Sequence, residues 1–84
     1  MGKYGVLADH LRHAASPVSM TFDEIDDLVG GLPASARRHR AWWANEADGR
    51  HVQARAWVQA GWRVEDVSLT QERVRFSRGS RTSG

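Results

Sequence analysis

The sequence of 84 residues contains no cysteine and only two prolines. Without thiols the chain forms neither a disulfide nor a thiolate zinc site, so neither can stabilise the fold. No apolar run is long enough to span a membrane, and the N-terminal segment lacks the apolar region of a signal peptide. These absences lead us to expect a soluble protein of the cytoplasm that has no membrane partner.

Lysine is also nearly absent: among twelve Lys and Arg residues, Lys3 is the single lysine. Residues 1–31 carry two basic and five acidic side chains, a net charge of −3. Residues 32–84 carry ten arginines and five acids, a net charge of +5. Arginine presents a rigid fork of donors that fits phosphate groups and guanine edges. The charge after residue 31 therefore favours an anionic partner, with nucleic acid as the first candidate.

A chain of 84 residues is enough for one small domain, whose core depends on large aromatic side chains. We expect a single compact domain over residues 3–78 and a disordered tail over residues 79–84. Neighbouring residues of a helix point about 100° apart, so Trp42 and Trp43 cannot both face one core. We expect Trp42 to be the more exposed of the two. The residues expected in the core are Trp43, Trp57, Trp62, Ile25, Leu28, Val64 and Phe76.

Apolar periodicity predicts a first helix over residues 4–14 and a fourth over residues 51–60. Between them, a second helix begins at a capping box formed by Thr21 and Glu24. The pair Gly30-Gly31 ends this helix, and one of the two glycines is expected in the left-handed conformation. The first half of the chain is therefore predicted to be helical.

The segment TFDEIDDLVGGLPASARRH, residues 21–39, resembles a helix-turn-helix. Its second half belongs to a third predicted helix, which begins with Pro33 and continues toward Trp43. In a helix-turn-helix the first helix buries its apolar stripe, and the second exposes side chains to the major groove. An ordinary helical hairpin fits the same pattern, so both interpretations stay open.

Towards the C-terminus the apolar period changes from that of a helix to that of a strand. Residues 62–69 form one predicted strand, interrupted by a bulge at the Glu65-Asp66 pair. Residues 73–78 alternate strictly, with Val74 and Phe76 inward and the arginines outward. A lone hairpin is unstable in water, so its apolar face must lie on the helices. The predicted fold class is α+β, with three to four short helices followed by a C-terminal β-hairpin, like a winged helix-turn-helix.

Seven short motifs run along the chain in the order KY, TF-x-EI, LP-x-SA, R-x-WW-x-N, H-x-QA-x-AW, AGW-x-V and V-x-F. This pattern covers nearly all of residues 3–78 and resembles an uncharacterised family of small bacterial domains. The resemblance implies one compact domain without pointing to an activity. Among the polar motif positions, we expect Ser35 and Asn45 to cap helix ends. Arg40 either reads guanine or lies along a tryptophan face, and Gln53 is expected to contact DNA.

Our leading hypothesis is a DNA-binding protein of winged helix-turn-helix type, either a small transcriptional regulator or a DNA-associated accessory factor. The fourth helix, or else the third, would enter the major groove, where Gln53 and Arg55 of the fourth would read bases. Arg73, Arg75 and Arg78 of the hairpin would contact backbone phosphates. Double-stranded DNA is the expected partner, and a homodimer is left open. The candidate nucleic-acid-binding residues are Arg37, Arg38, Arg40, Arg50, His51, Gln53, Arg55, Arg63, Arg73, Arg75 and Arg78.

Two alternative functions use the tryptophan pair. A protein-interaction or adaptor module would bind an acidic partner through the arginines, with Trp42 and Trp43 as anchors. A single-stranded nucleic-acid binder would instead stack bases on the same rings. The sequence does not decide between these functions and duplex binding.

Catalytic and metal sites are not expected in this chain. No nucleophile stands beside an obvious base, so we expect no catalytic residue and no enzyme. The spacing of the histidines does not supply the three or four convergent ligands of a zinc site, so we expect neither a metal site nor a cofactor. The four histidines are His10, His13, His39 and His51.

Overall fold

The computed structural model describes residues 3–46 and 52–79 of the chain. The candidate residues Arg50 and His51 lie outside the described residues, as do residues 80–84 of the predicted disordered tail. The α+β class and the C-terminal hairpin are confirmed. The described elements are α1 (Gly5–Arg12), β1 (Val18–Thr21), α2 (Phe22–Val29), α3 (Ala34–Arg38), a 3₁₀ helix (Arg40–Trp43), α4 (Val52–Gln59), β2 (Trp62–Ser68) and β3 (Arg73–Arg78).

The strands form an antiparallel sheet in the order β1-β3-β2. Val74 and Phe76 of β3 are buried and the arginines that alternate with them are exposed, as the strict alternation predicts. The predicted bulge is also present, because the pairing of β2 with β3 shifts between Val64 and Asp66. Local sequence pattern therefore determines both strands of the hairpin.

β1 is the element that the sequence did not predict. It pairs with β3 along its whole length, from Val18 opposite Phe76 to Thr21 opposite Arg73. Four residues are too few to show a convincing alternation, so the strand is visible only once β3 lies beside it. The hairpin is consequently flanked by a third strand down to its turn and is not a free arm.

The start and the end of α2 agree with the sequence. The hydroxyl of Thr21 accepts a hydrogen bond from the Glu24 amide at 3.0 Å, and the Glu24 carboxylate accepts one from the Thr21 amide at 2.8 Å. These two bonds are the predicted capping box. Gly30 and Gly31 both have positive φ angles, of 81° and 119°, which end the helix as predicted.

The third helix is shorter than predicted. α3 ends at Arg38, His39 adopts an extended conformation, and a 3₁₀ helix then continues to Trp43. The break lets Trp43 fold back so that its Nε1 donates to the Ala36 carbonyl at 2.8 Å. Pro33 precedes the helix in an extended conformation and is not its first residue. Packing of one large side chain thus overrides the helical propensity of this segment.

The core is built around a run of aromatic rings. Trp43 stacks on Phe22 with centroids 5.5 Å apart, and on Trp57 at 5.9 Å. Trp57 meets Phe76 of the sheet edge-on at 5.7 Å. Stacked and edge-on pairs of this kind stabilise a fold beyond the area that they bury. The expected core residues are all buried except Leu28, which is only half-buried.

Candidate nucleic-acid interface

The polar residues of the R-x-WW-x-N motif cover the outer edge of β2. The side-chain oxygen of Asn45 accepts hydrogen bonds from the Val64 amide at 2.7 Å and from the Trp57 indole at 2.9 Å. Its side-chain nitrogen donates to the Val64 carbonyl at 2.9 Å. Arg40 donates to the Val67 carbonyl at 2.7 Å. An edge strand with free backbone groups invites pairing with another chain, and these two side chains prevent it here.

Two predicted helix caps are therefore wrong. Asn45 binds β2 and the Trp57 indole and caps no helix. Ser35 lies inside α3, whose N-cap is Pro33. The sequence placed both residues near helix ends correctly, but residues distant in the chain decide which partners they meet. Arg40 donates one guanidinium N–H to the Val67 carbonyl, so its side chain has a structural role whether or not it also binds a ligand.

Gln53 is buried, which contradicts its predicted place on the exposed side of the fourth helix. It is 6% exposed, and its Nε2 donates to the Trp42 carbonyl at 3.0 Å. The helical spacing of Val52, Ala56 and Ala60 predicts that their side of the fourth helix is the apolar one. The side that packs inward instead holds Gln53, Ala54 and Trp57. Arg55 is exposed as expected. Gln59, one turn further along α4, is also exposed and was not among the candidates, although its spacing from Arg55 was a readable signal.

Three arginines line the solvent side of the sheet. Arg73 and Arg75 alternate with the buried residues of β3, and Arg63 of β2 stands opposite Ser77. Cross-strand partners share a face, so Ser77 and Ser19, which stands opposite Arg75, belong to the same surface. The same rule places Asp66 and Ser68 of β2 and Thr21 of β1 on this side. We call this surface the sheet face; its residues are Ser19, Thr21, Arg63, Asp66, Ser68, Arg73, Arg75 and Ser77.

The arginines of the sheet face differ in their partners. Arg75 Nε lies 2.8 Å from a carboxylate oxygen of Glu65, and Asp66 stands opposite Arg75 in the strand register. The guanidinium groups of Arg63 and Arg73 are exposed and, within residues 3–46 and 52–79, form no hydrogen bond or ion pair. Two guanidinium groups are thus available to an anion, and a third is partly neutralised.

The remaining described arginine candidates are distributed over other surfaces. Arg37 forms ion pairs with Asp23 at 3.0 Å and with Glu72 at 3.8 Å, and the hydrogen bond to Asp23 raises the pKa of the Arg37 guanidinium. Arg38 of α3 is exposed and has no ion pair in the part of the chain that the structure describes. Arg78 lies over the ring of Trp62, 4.9 Å from its centroid. The candidates therefore do not form one continuous patch.

Trp43 is buried and Trp42 is the more exposed of the two, as predicted. Trp43 is 1% exposed, so it is inaccessible to bases or to a protein partner. Trp42 is half-buried, with its ring edge-on to Trp43 at 4.6 Å and to Tyr4 at 5.8 Å. Burial raises the pKa of the Tyr4 phenol. Both rings belong mainly to the core, which weakens the two functions that need them as anchors or stacking platforms.

The described residues contain neither a metal-binding cluster nor a membrane-spanning helix. Among them, no three His, Asp or Glu side chains converge closely enough to hold a metal ion. The helices within these residues are also too short or too polar to cross a bilayer.

Residues 4–79 match a family described as "Domain of unknown function (DUF7662)". The chain belongs to this family. The predicted resemblance to an uncharacterised family of small domains is thereby confirmed. The comparisons with curated proteins and with solved structures find no match. A functional assignment therefore depends on the geometry of the chain itself.

Proposed function

We propose that this protein binds double-stranded DNA through the sheet face, as a small transcriptional regulator or a DNA-associated accessory factor. The observation that carries the proposal is the row of Arg63, Arg75 and Arg73 on one exposed side of a rigid sheet. Successive residues on one side of a strand are about 7 Å apart, so the row spans about 14 Å. Each nucleotide of a DNA strand carries one phosphate charge, so a row of this length can meet more than one phosphate of the backbone.

Duplex DNA fits this surface better than a single strand. The described residues of the sheet face include no aromatic side chain, because Trp62 and Phe76 point into the core. Proteins that bind single strands without sequence preference stack bases on exposed aromatic rings. An arginine row without such rings is suited to a backbone of fixed shape, and it supplies affinity but no base recognition.

The order of elements supports a winged helix-turn-helix arrangement. Helices precede the hairpin, and α4 leads directly into β2. With eight residues, α4 is longer than α3 with five, and it exposes Arg55 and Gln59 one turn apart. Arg55 and Gln59 point away from the side of α4 that packs on the sheet, so they lie on the surface opposite the sheet face. We therefore assign the contact with duplex DNA to the sheet face, and no base contact to the buried Gln53. In this arrangement the hairpin contacts DNA through the sheet face and not through its tip, since β1 flanks it down to the turn.

Arg73→Ala is expected to weaken binding to all duplexes alike and to reduce the salt slope of the affinity by roughly one counterion. The measurement is fluorescence anisotropy of a labelled random-sequence duplex over a salt series. Arg12→Ala is the matched control, because it removes the same charge from α1, where Arg12 is paired with Asp9. If both variants weaken duplex binding equally, the effect is one of net charge, and Arg73 does not belong to a specific DNA-binding site. Absence of binding by the unmodified chain at low salt would favour the protein-interaction module.

Glu65→Gln is expected to tighten duplex binding by about two- to fivefold at low salt, because it releases Arg75 from its ion pair. Asp9→Asn is the charge-matched control on α1 and is expected to change the affinity less. The same anisotropy assay compares the two variants. An equal gain in both would mean that Arg75 makes no local contact with DNA.

A further inference from the structure

The second edge of the sheet, formed by β1, is left open. The Phe22 amide donates to the Glu72 carbonyl on the β3 side, so the alternate residues Thr21 and Ser19 direct their backbone groups away from β3. The outward Thr21 amide is taken by the Glu24 carboxylate. The amide and carbonyl of Ser19 form no hydrogen bond within the described residues. One edge of the sheet is thus covered by Arg40 and Asn45, while the other presents a free donor and acceptor.

A groove of about 360 Å³ runs beside this open edge, between β1 and the helices. β1 forms one side, His10 of α1 contributes to the wall, and Glu24, Asp27 and Leu28 of α2 complete it. Glu24 and Asp27 form no ion pair in the part of the chain that the structure describes. The groove therefore combines an apolar contact at Leu28 with two carboxylates that lack a cation.

We propose that β1 accepts an extended peptide as an additional strand, with a Lys or Arg side chain of that peptide entering the groove. In such strand addition, main-chain hydrogen bonds supply affinity and alternate side chains enter pockets. The aliphatic stem of a basic side chain suits Leu28, and its charge suits Glu24 and Asp27. A second copy of this chain fits poorly, because pairing β1 with β1 would bring the same carboxylates of both copies together. This surface meets the sheet face at Ser19, where it uses backbone groups of the strand edge and no arginine, and the proposal does not depend on DNA binding.

The test is an NMR titration of the ¹⁵N-labelled full chain with the peptide acetyl-Thr-Val-Arg-Val-Thr-amide. The expected result is a shift of the Ser19 amide and no comparable shift with a peptide that carries Glu in place of Arg. Asp27→Asn is expected to weaken binding of the Arg peptide roughly fivefold. Ser19→Pro is expected to abolish it while the fold is kept, since an outward amide on an edge strand tolerates proline.

Three results would overturn the proposal. The first is the absence of any Ser19 shift at millimolar Arg peptide. The second is equal binding of the Arg and Glu peptides, which would remove the acidic groove from the account. The third is a Ser19 resonance that shifts with protein concentration alone, accompanied by a dimer in light scattering. That outcome would identify a second copy of the chain as the occupant.

Discussion

Replacing Trp43 with alanine is expected to lower the free energy of unfolding by about 3–5 kcal/mol. The side chain is 1% exposed and lies between the rings of Phe22 and Trp57. Its removal leaves a cavity in the middle of the aromatic run and leaves the Ala36 carbonyl without its 2.8 Å donor. Native domains are stable by about 5–15 kcal/mol, with small ones at the lower end, so the variant is expected to retain only about 0–2 kcal/mol of a stability near 5 kcal/mol.

Urea unfolding followed by tryptophan fluorescence and circular dichroism measures this loss. Trp42→Ala is the matched control, because it removes the same atoms from the neighbouring, half-buried position. We expect it to lose less than half as much stability as Trp43→Ala. A cooperative transition of nearly unchanged midpoint for Trp43→Ala would contradict the placement of this ring at the centre of the core.

Replacing Asn45 with leucine is expected to lower the free energy of unfolding by about 2–4 kcal/mol. Leucine has nearly the same shape but forms none of the three hydrogen bonds of Asn45. The Trp57 ring is fully buried, so its indole N–H would be left without an acceptor inside the fold. The Val64 amide and carbonyl would also be uncovered at the edge of β2. Loss of one buried partner without a replacement is the costly case for a hydrogen bond.

Arg40→Ala serves as the control for Asn45→Leu. It removes the single hydrogen bond that Arg40 donates to the same strand edge. Because the Arg40 side chain is exposed, the substitution is expected to lower the free energy of unfolding by about 1 kcal/mol or less. The measurement is again urea unfolding, at equal protein concentrations. If the free energy of unfolding of Asn45→Leu lies within about 0.5 kcal/mol of that of the unmodified chain, water replaces the hydrogen bonds of the asparagine. The R-x-WW-x-N motif would then not protect the edge of β2.

Elements with complete local signals were predictable from the sequence. α2 has a capping box at one end and two glycines at the other, so neighbouring residues decide both of its limits. β3 alternates without interruption, which fixes the side of the sheet on which its arginines lie. Neither prediction required knowledge of what packs against the element.

Tertiary contacts decided the features that the sequence did not reveal. The helix predicted to run from Pro33 to Trp43 breaks at His39, where the Trp43 ring folds back to Ala36. Gln53 turns inward because the large Trp57 on the same side of α4 outweighs the alanines of the neighbouring side. The ion pair of Glu65 with Arg75 depends on the bulge that places them together. None of these contacts has a signature within one turn of the chain.

The central claim is that duplex DNA contacts the arginines of the sheet face, and the side-chain Nε–Hε resonances of the arginines test it most directly. The ¹⁵N-labelled full chain is titrated with an unlabelled random-sequence duplex at low salt. We expect the resonances of Arg63 and Arg73 to shift and to return as salt is added, while that of Arg12 on α1 stays unchanged. Unchanged Arg63 and Arg73 resonances at saturating duplex, or shifts at Arg12 of the same size, would contradict the claim.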